Sequence, residues 1–207
     1  MINGQEIRKI EKILGSFSQR RIHLRRIRNI LKHFLISEGF IVVPTSHKLD
    51  ILHRRMWLKS NELFLQTRAK TNGKIFKKMQ RYNETANQML DIYGIRIVVP
   101  EEERIDWLFS KLTNLWKVPT KNEMTIRNGS LLFPWKRDYR KRDWTGCSKL
   151  SSPDYDKAIH CNLKTEYGIV EIQIMDQDLF RRAFSFKSTA SHRRLKRQQD
   201  SFYKYKH

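Results

Sequence analysis

The sequence predicts an α+β fold in a single domain that spans residues 1–207. Apolar residues recur at helical spacing near the N-terminus, and short runs of Ile and Val bounded by Pro, Gly or turn residues are typical of buried strands further along. With 207 residues, 39% of them hydrophobic, the chain is long enough to bury a substantial core. We therefore expect one globular domain.

The chain is strongly basic. It carries 42 Lys and Arg against 21 Asp and Glu, a net charge of +21, which is well beyond what solubility needs. A polyanionic partner is the natural inference, with nucleic acid first and nucleotide phosphates second. A merely basic surface is the alternative.

A cytoplasmic location without a membrane partner is expected. Cys147 and Cys161 are the only cysteines, too few for a disulfide scaffold or a Cys-rich zinc site, and this fits a reducing compartment. No apolar run approaches the roughly 18 residues of a membrane span. Residues 1–8 lack the apolar core of a signal peptide.

Residues 1–40 are predicted to form basic helices. Apolar residues recur every three or four positions from Gln5 to Ser37, and Gly15 is a plausible break between two helices. Residues 40–43 follow as a short strand or a packed loop. Four cations recur at helical spacing and so share one helix face, which is either an RNA-binding surface or an ordinary solvated one: Arg21, Arg25, Arg28 and Lys32.

A phosphate site is predicted where the next strand meets a helix. Residues 63–70 are typical of a strand, with Arg68 and Lys70 on the same side. Residues 71–73 form a turn, and a helix is expected over residues 74–89. The positive end of that helix and the two cations would favour the same anion.

A buried strand is predicted over residues 89–100, because a run of Ile and Val there is closed by a proline. Asp91 and Arg96 lie in this run, and charged residues in a buried strand need partners. Both are therefore candidate site residues. Glu101–Glu103 are expected to open the following helix, where the dipole favours acids.

A hairpin and a basic loop come next. Residues 124–127 and 131–133 are predicted to pair around Asn128 and Gly129. From residue 135 to 153 cations alternate with aromatic residues, which suits phosphate contact and base stacking. A solvated loop with a few packed aromatic residues is the alternative. The candidate RNA-binding cations of this loop are Arg140, Lys141 and Arg142.

A second acid lies in a hydrophobic strand. Residues 158–163 and 168–175 are predicted to form a hairpin, with Glu171 and Gln173 on one face of its second strand. If this strand pairs with the strand of Asp91, the two carboxylates come close and form a Mg²⁺ site able to hold nucleotide phosphates. A structural salt bridge for either acid is the alternative.

The C-terminal region is expected to be helical from Asp176 onward. Its inward side chains are predicted from their spacing. They are Leu179, Phe180, Ala183 and Phe184.

These motifs, taken in order, resemble the synthetase domain of the RelA/SpoT family, which includes small alarmone synthetases and toxin relatives. The resemblance spans roughly residues 60–195. It is carried by Arg68-x-Lys70, Lys78, Asp91-Ile-x-Gly94-Ile-Arg96-Ile, Ile159-His160 and Glu171-Ile-Gln173-Ile. It implies a nucleotidyltransferase-like synthetase fold, a mixed sheet of about five strands flanked by helices. It also implies an ATP-dependent pyrophosphokinase that moves pyrophosphate from ATP to a ribose 3′-hydroxyl.

The resemblance also implies roles for particular residues. Asp91 and Glu171 would be catalytic and hold Mg²⁺, and Glu171 would activate the acceptor hydroxyl. Arg68 and Arg96 would bind the adenine of the donor ATP. Lys70 and Lys78 would bind its phosphates. The acceptor would be bound by Tyr155, His160 and Gln173.

The acceptor side departs from the family pattern. Pro153-Asp154 replaces the usual Asn-Gly, an extra residue separates Tyr155 from His160, and Met175-Asp176 replaces Arg-Thr. On the donor side the usual Ser before the Lys78 helix is Lys74. Together with the charge, the concentration of departures on the acceptor side favours the 3′-CCA end of tRNA as acceptor. This is the chemistry of toxin members, whose partner would be an acidic antitoxin.

Other functions stay open at this stage. One is an alarmone synthetase that acts on free GDP, GTP or adenine nucleotides, as a possible homo-oligomer. Another is a non-catalytic RNA-binding protein on the same fold, against which the joint presence of the donor-side cations and both acids argues. A template-independent nucleotidyltransferase is a weaker third option, which would release pyrophosphate instead of AMP.

Overall fold

The structure is a computed structural model. It describes residues 3–82, 85–86, 89, 92–119, 126–127, 130–131, 136–138 and 158–184. The predicted site residues outside these ranges are Asp91, Arg140, Lys141, Arg142 and Tyr155.

A mixed sheet flanked by helices lies at the centre of the fold, which confirms the α+β class. The described strands are Ile41–Val43 (β1), Glu62–Ala69 (β2), Tyr93–Val99 (β3), Ile126–Arg127 (β4), Ser130–Leu131 (β5), Lys136–Asp138 (β6), Ala158–Thr165 (β7) and Gly168–Asp176 (β8). Six of them form the main sheet in the order β1-β2-β3-β8-β7-β6. The β1–β2 and β3–β8 pairs are parallel and the rest are antiparallel. β4 and β5 form the predicted hairpin as a separate sheet.

The N-terminal region forms two helices that break where predicted. Gly15 ends the first helix at a φ of 73°, a conformation that favours glycine. Ser16 and Gln19 then form a reciprocal capping box at the start of the second. The described α-helices are Gly4–Leu14 (α1), Phe17–Ser37 (α2), Lys48–Leu52 (α3), Asn72–Tyr82 (α4), Arg104–Leu115 (α5) and Gln177–Phe184 (α6).

Helices cover the two faces of the sheet unequally. On one face, apolar residues of α1, α2, α4 and α5 form the larger hydrophobic core with the odd-numbered residues of β2 and β3. On the other face, α3 and α6 form a smaller core over a single row of sheet residues. That row is Phe64, Val98, Met175 and Ala158, which pair in register. The rest of this face is left for polar side chains.

Several predicted boundaries were wrong for a common reason. β3 begins at Tyr93 and not at residue 89, because its partner strands first meet it there, at Ala69 and Val170. Similarly, residues 136–138 were predicted to lie in a loop but form an edge strand, because they pair with β7. The end of a strand thus depends on the neighbouring strand with which it pairs. The local sequence carries no information about that pairing.

The helix predictions needed smaller corrections. α4 begins at Asn72, within the predicted turn, and ends at Tyr82, before the predicted residue 89. Glu101–Glu103 precede α5 and do not form its first turn. Within the described ranges, no helix has both the length and the apolar composition of a membrane span.

Candidate active site

Two rows of polar residues occupy the half of this sheet face that none of the described helices covers. They arise because alternate residues of a strand point to the same side, so Gln66 and Arg68 continue the face that begins with Phe64. By the same alternation, Arg96 on β3 and Glu171 and Gln173 on β8 point to this face. The first polar row is Gln66, Arg96, Gln173 and His160, and the second is Arg68, Gly94, Glu171 and Asn162.

In the second row, Arg68 crosses β3 to reach Glu171. Its Nη2 donates to Oε2 of Glu171 at 3.4 Å. The crossing passes over Gly94, where a Cβ would lie 3.0 Å from Nε of Arg68 and 3.2 Å from its Cγ. Gly94 therefore leaves the space through which the guanidinium reaches the carboxylate.

In the first row, Arg96 is held between two glutamines. Its Nη1 donates to Oε1 of Gln66 at 2.8 Å, while Nε and Nη2 donate to Oε1 of Gln173 at 3.2 and 2.7 Å. These bonds lie at the edges of the guanidinium. The ring of Phe184, at the end of α6, lies against this group with its centroid 4.9 Å from Cζ.

Glu171 lies between two basic side chains. Its Oε2 faces Arg68, and its Oε1 lies 4.0 Å from Nδ1 of His160. The Glu171 side chain is 22% exposed, so the carboxylate can still meet a ligand. A carboxylate is the oxygen donor that Mg²⁺ prefers, and Glu171 fits half of the expected pair. No cluster of three or more metal-ligating side chains occurs within the described ranges, and Asp91 lies outside them.

A cavity of about 170 Å³ opens over the two rows. It brings together four predicted site residues, Arg68, Arg96, Glu171 and Gln173. Gln66, Thr67, Gly94, Ile95 and Phe184 complete the described lining.

A second cavity, of about 350 Å³, shares part of its lining with the first. Thr67 and Arg68 line both cavities. The lining of the second cavity also includes Arg21, Arg25 and Arg28 of α2, so Arg68 belongs both to the site and to the cavity that the cationic helix face lines. Lys32, the fourth predicted cation of this face, is not part of the described lining.

The N-terminus of α4 is fixed close to the end of β2. The buried guanidinium of Arg20 donates to the Gly15 carbonyl and to Oδ1 of Asn72. Asn72 in turn donates to Glu11 at 2.8 Å. Burial lowers the pKa of the Arg20 guanidinium, with Tyr93 and Glu11 opposing the shift. This network joins α1, α2 and α4.

The structure also places the two predicted phosphate-binding cations, Lys70 and Lys78. Lys70 follows β2 directly, and its backbone N–H donates to the Ile92 carbonyl at 3.0 Å. Lys78 is partly buried on α4. Neither belongs to the described lining of the first cavity.

Two residues of the site were missed from the sequence. Gln66 was unassigned, and only the register of β2 against β3 reveals it as a partner of Arg96. Phe184 was predicted to point into the core from its helical spacing, but it is 37% exposed and lines the cavity. The helix overhangs the polar rows at its last turn.

Comparison with known proteins supplies one family match. A family model described as the region found in RelA / SpoT proteins matches residues 67–200, more than half of the chain. No match arises among curated proteins.

Solved structures of small alarmone synthetase 1 from Bacillus subtilis are also similar. The form bound to its product pppGpp is 21% identical over 58% of each chain, with a TM-score of 0.35. The structure described without a ligand is 16% identical over 88% of each chain, with a TM-score of 0.41. The form bound to AMPCPP is 16% identical over 88% of this chain and 85% of that chain, with a TM-score of 0.38.

Proposed function

The chain belongs to the RelA/SpoT family and is an ATP pyrophosphotransferase, and we propose that its acceptor is the 3′-terminal ribose of an RNA, with the 3′-CCA end of tRNA favoured. One observation carries this proposal. The cavity lined by Arg68, Arg96 and Glu171 shares two of its lining residues, Thr67 and Arg68, with a groove lined by three arginines of α2. A free nucleotide needs few cations for binding, whereas the end of an RNA is attached to a chain of phosphates that many cations can contact.

The donor side of the proposal assigns ATP to the two polar rows. Arg68 and Arg96 present planar guanidinium groups that suit stacking on adenine. Lys70 and Lys78, beside the N-terminus of α4, would meet the phosphates, which the positive end of that helix also favours.

Glu171 takes the central chemical role. The acceptor 3′-oxygen attacks the β-phosphorus of ATP, the bond from that phosphorus to the α–β bridging oxygen breaks, and AMP leaves. Glu171 would accept the proton of the hydroxyl, while Arg68, 3.4 Å away, orients its carboxylate. Asp91 and Glu171 would hold Mg²⁺, which when bound offsets the charge that develops on the phosphates.

The acceptor side rests on the remaining residues of the first row. His160 and Gln173 pair directly across β7 and β8 and would contact the terminal ribose, with Tyr155 stacking on its base. In this arrangement Arg21, Arg25 and Arg28 would contact the backbone phosphates of the RNA. Lys32, Arg140, Lys141 and Arg142 would extend that surface. A toxin role with an acidic antitoxin follows only for this acceptor.

Transfer of labelled phosphate tests the proposal. The protein is incubated with Mg²⁺ and ATP labelled at the γ-phosphate, together with deacylated tRNA, GDP, GTP or no acceptor, and the products are separated by size. We expect label in the tRNA band with release of AMP. Glu171→Gln should abolish transfer while circular dichroism and the melting temperature show an intact fold.

Other outcomes would contradict the proposal in different ways. Label in a small nucleotide would identify an alarmone synthetase and remove the RNA acceptor. Release of pyrophosphate in place of AMP would indicate a nucleotidyltransferase. Tight RNA binding without consumption of ATP at any Mg²⁺ concentration would indicate a binding protein, and full activity of Glu171→Gln would exclude that residue as the base.

A further inference from the structure

We propose that Phe184 is a positioning residue of the donor site, which holds the Arg96 guanidinium in the orientation that stacks on the ATP base. This inference rests on the proposed function. It starts from the position of Phe184 at the end of α6, where it lines the cavity with its ring centroid 4.9 Å from Cζ of Arg96.

Phe184 restrains the Arg96 guanidinium in a different way from the hydrogen bonds to Gln66 and Gln173. The bonds to Gln66 and Gln173 lie in the plane of the group and fix its edges. In-plane bonds restrain tilting of the plane only weakly. The Phe184 ring packs against the group with its centroid 4.9 Å from Cζ, so it opposes that tilt and attracts the cation through its quadrupole.

Phe184 is itself held by a line of aromatic rings. Its centroid lies 4.9 Å from that of the buried Phe180, which lies 5.6 Å from the ring of Phe64 in the apolar row. The rings thus connect the core under α6 to the polar row that contains Arg96. On this side of the molecule Lys48 of α3 also lies near the Phe184 ring, with Nζ 5.1 Å from the centroid.

The orientation of the Arg96 guanidinium in the free protein matters because ATP binding would otherwise have to immobilise this side chain. An arginine side chain loses substantial rotamer entropy when it is immobilised. A plane that is already oriented in the free protein removes part of this cost from ATP binding. The predicted effect is therefore on donor affinity, and the chemical step should change little.

Variants of Phe184 test this role by donor binding and by steady-state kinetics. Phe184→Ala should weaken binding of ATP, measured by calorimetry in Mg²⁺, by about 3- to 30-fold, the range expected for a partly desolvated cation–π contact. KM for ATP should rise by the same factor, with kcat at saturating ATP within about twofold. Phe184→Tyr should behave as wild type. Phe184→Leu, which keeps apolar packing on Phe180 but lacks the aromatic face, should share most of the loss.

A double-mutant cycle and a matched control make the test specific. In an Arg96→Ala background, Phe184→Ala should have no further effect on ATP binding. Trp107 on α5 is equally exposed at 37% and has Lys111 Nζ 5.3 Å from its ring, but it does not line the described cavity. Trp107→Ala should leave ATP affinity unchanged.

The outcomes that overturn the inference differ from those that overturn the function. If wild type binds ATP and Phe184→Ala binds it equally well, the positioning role is wrong and the proposed function stands. A wild-type affinity in Phe184→Leu, or an undiminished loss in the Arg96→Ala background, also overturns the positioning role. If wild-type protein binds no ATP, the proposed function itself fails and the inference fails with it.

Discussion

Gly94 controls whether Arg68 can reach Glu171. Gly94→Ala would place a methyl group 3.0 Å from Nε and 3.2 Å from Cγ of Arg68, so the Arg68 side chain must shift by a few tenths of an ångström. We expect a loss of about 10- to 100-fold in kcat/KM, since small displacements of a positioning group have effects of this size. The free energy of unfolding should change by less than about 1 kcal/mol, because the displaced side chain is half exposed.

Gly4 provides the control for this substitution. It lies at the start of α1, and a Cβ there would meet nothing within 4 Å. Gly4→Ala should leave transfer activity unchanged and change the free energy of unfolding by less than about 1 kcal/mol. Equal activity in Gly94→Ala and Gly4→Ala would show that the crossing of Arg68 over β3 is unimportant for the reaction.

At the scale of elements, Arg20 joins three helices. Arg20→Ala would leave the Gly15 carbonyl and Oδ1 of Asn72 without their donor, in a buried position. We expect the free energy of unfolding to fall by about 2–4 kcal/mol and the melting temperature by about 4–15 °C. The neighbouring exposed Arg21 is the control, since Arg21→Ala should change stability by no more than about 0.5 kcal/mol. Similar melting temperatures for both variants would contradict a structural role for the network.

Elements with a strong internal pattern were predictable, and elements defined by a neighbour were not. The hairpin of β7 and β8 and the break at Gly15 were confirmed, because alternation and capping residues are local signals. The start of β3 and the strand β6 depend on pairing with a neighbouring strand. Local propensity carries no information about that pairing. Phe184 was misplaced for a similar reason: its spacing matches the inward face of α6, but the helix ends over polar rows that only the tertiary structure reveals.

For the whole molecule, part of the site was predictable from chemistry alone. Acids and cations in hydrophobic strands need partners, and Arg68, Arg96, Glu171 and Gln173 were predicted and lie together. The link between the α2 cations and the site was not predictable, because it requires the packing of α2 against β2. That packing turns a basic helix face into one wall of a groove that Arg68 also lines.

The groove predicts where a net charge of +21 acts on RNA. Replacing Arg21, Arg25 and Arg28 with Gln should lower affinity for tRNA and flatten the plot of log K against log salt by about 2, since each single-strand phosphate contact contributes about 0.7 to the slope. The matched control replaces three exposed cations outside both cavities, Arg8, Lys12 and Lys59, so the net charge falls equally. For this control variant, filter binding across a salt series should give a slope close to that of the wild type. If both triple variants flatten the slope to the same degree, RNA responds to overall charge and the groove has no special role, because only a localised contact distinguishes two proteins of equal charge.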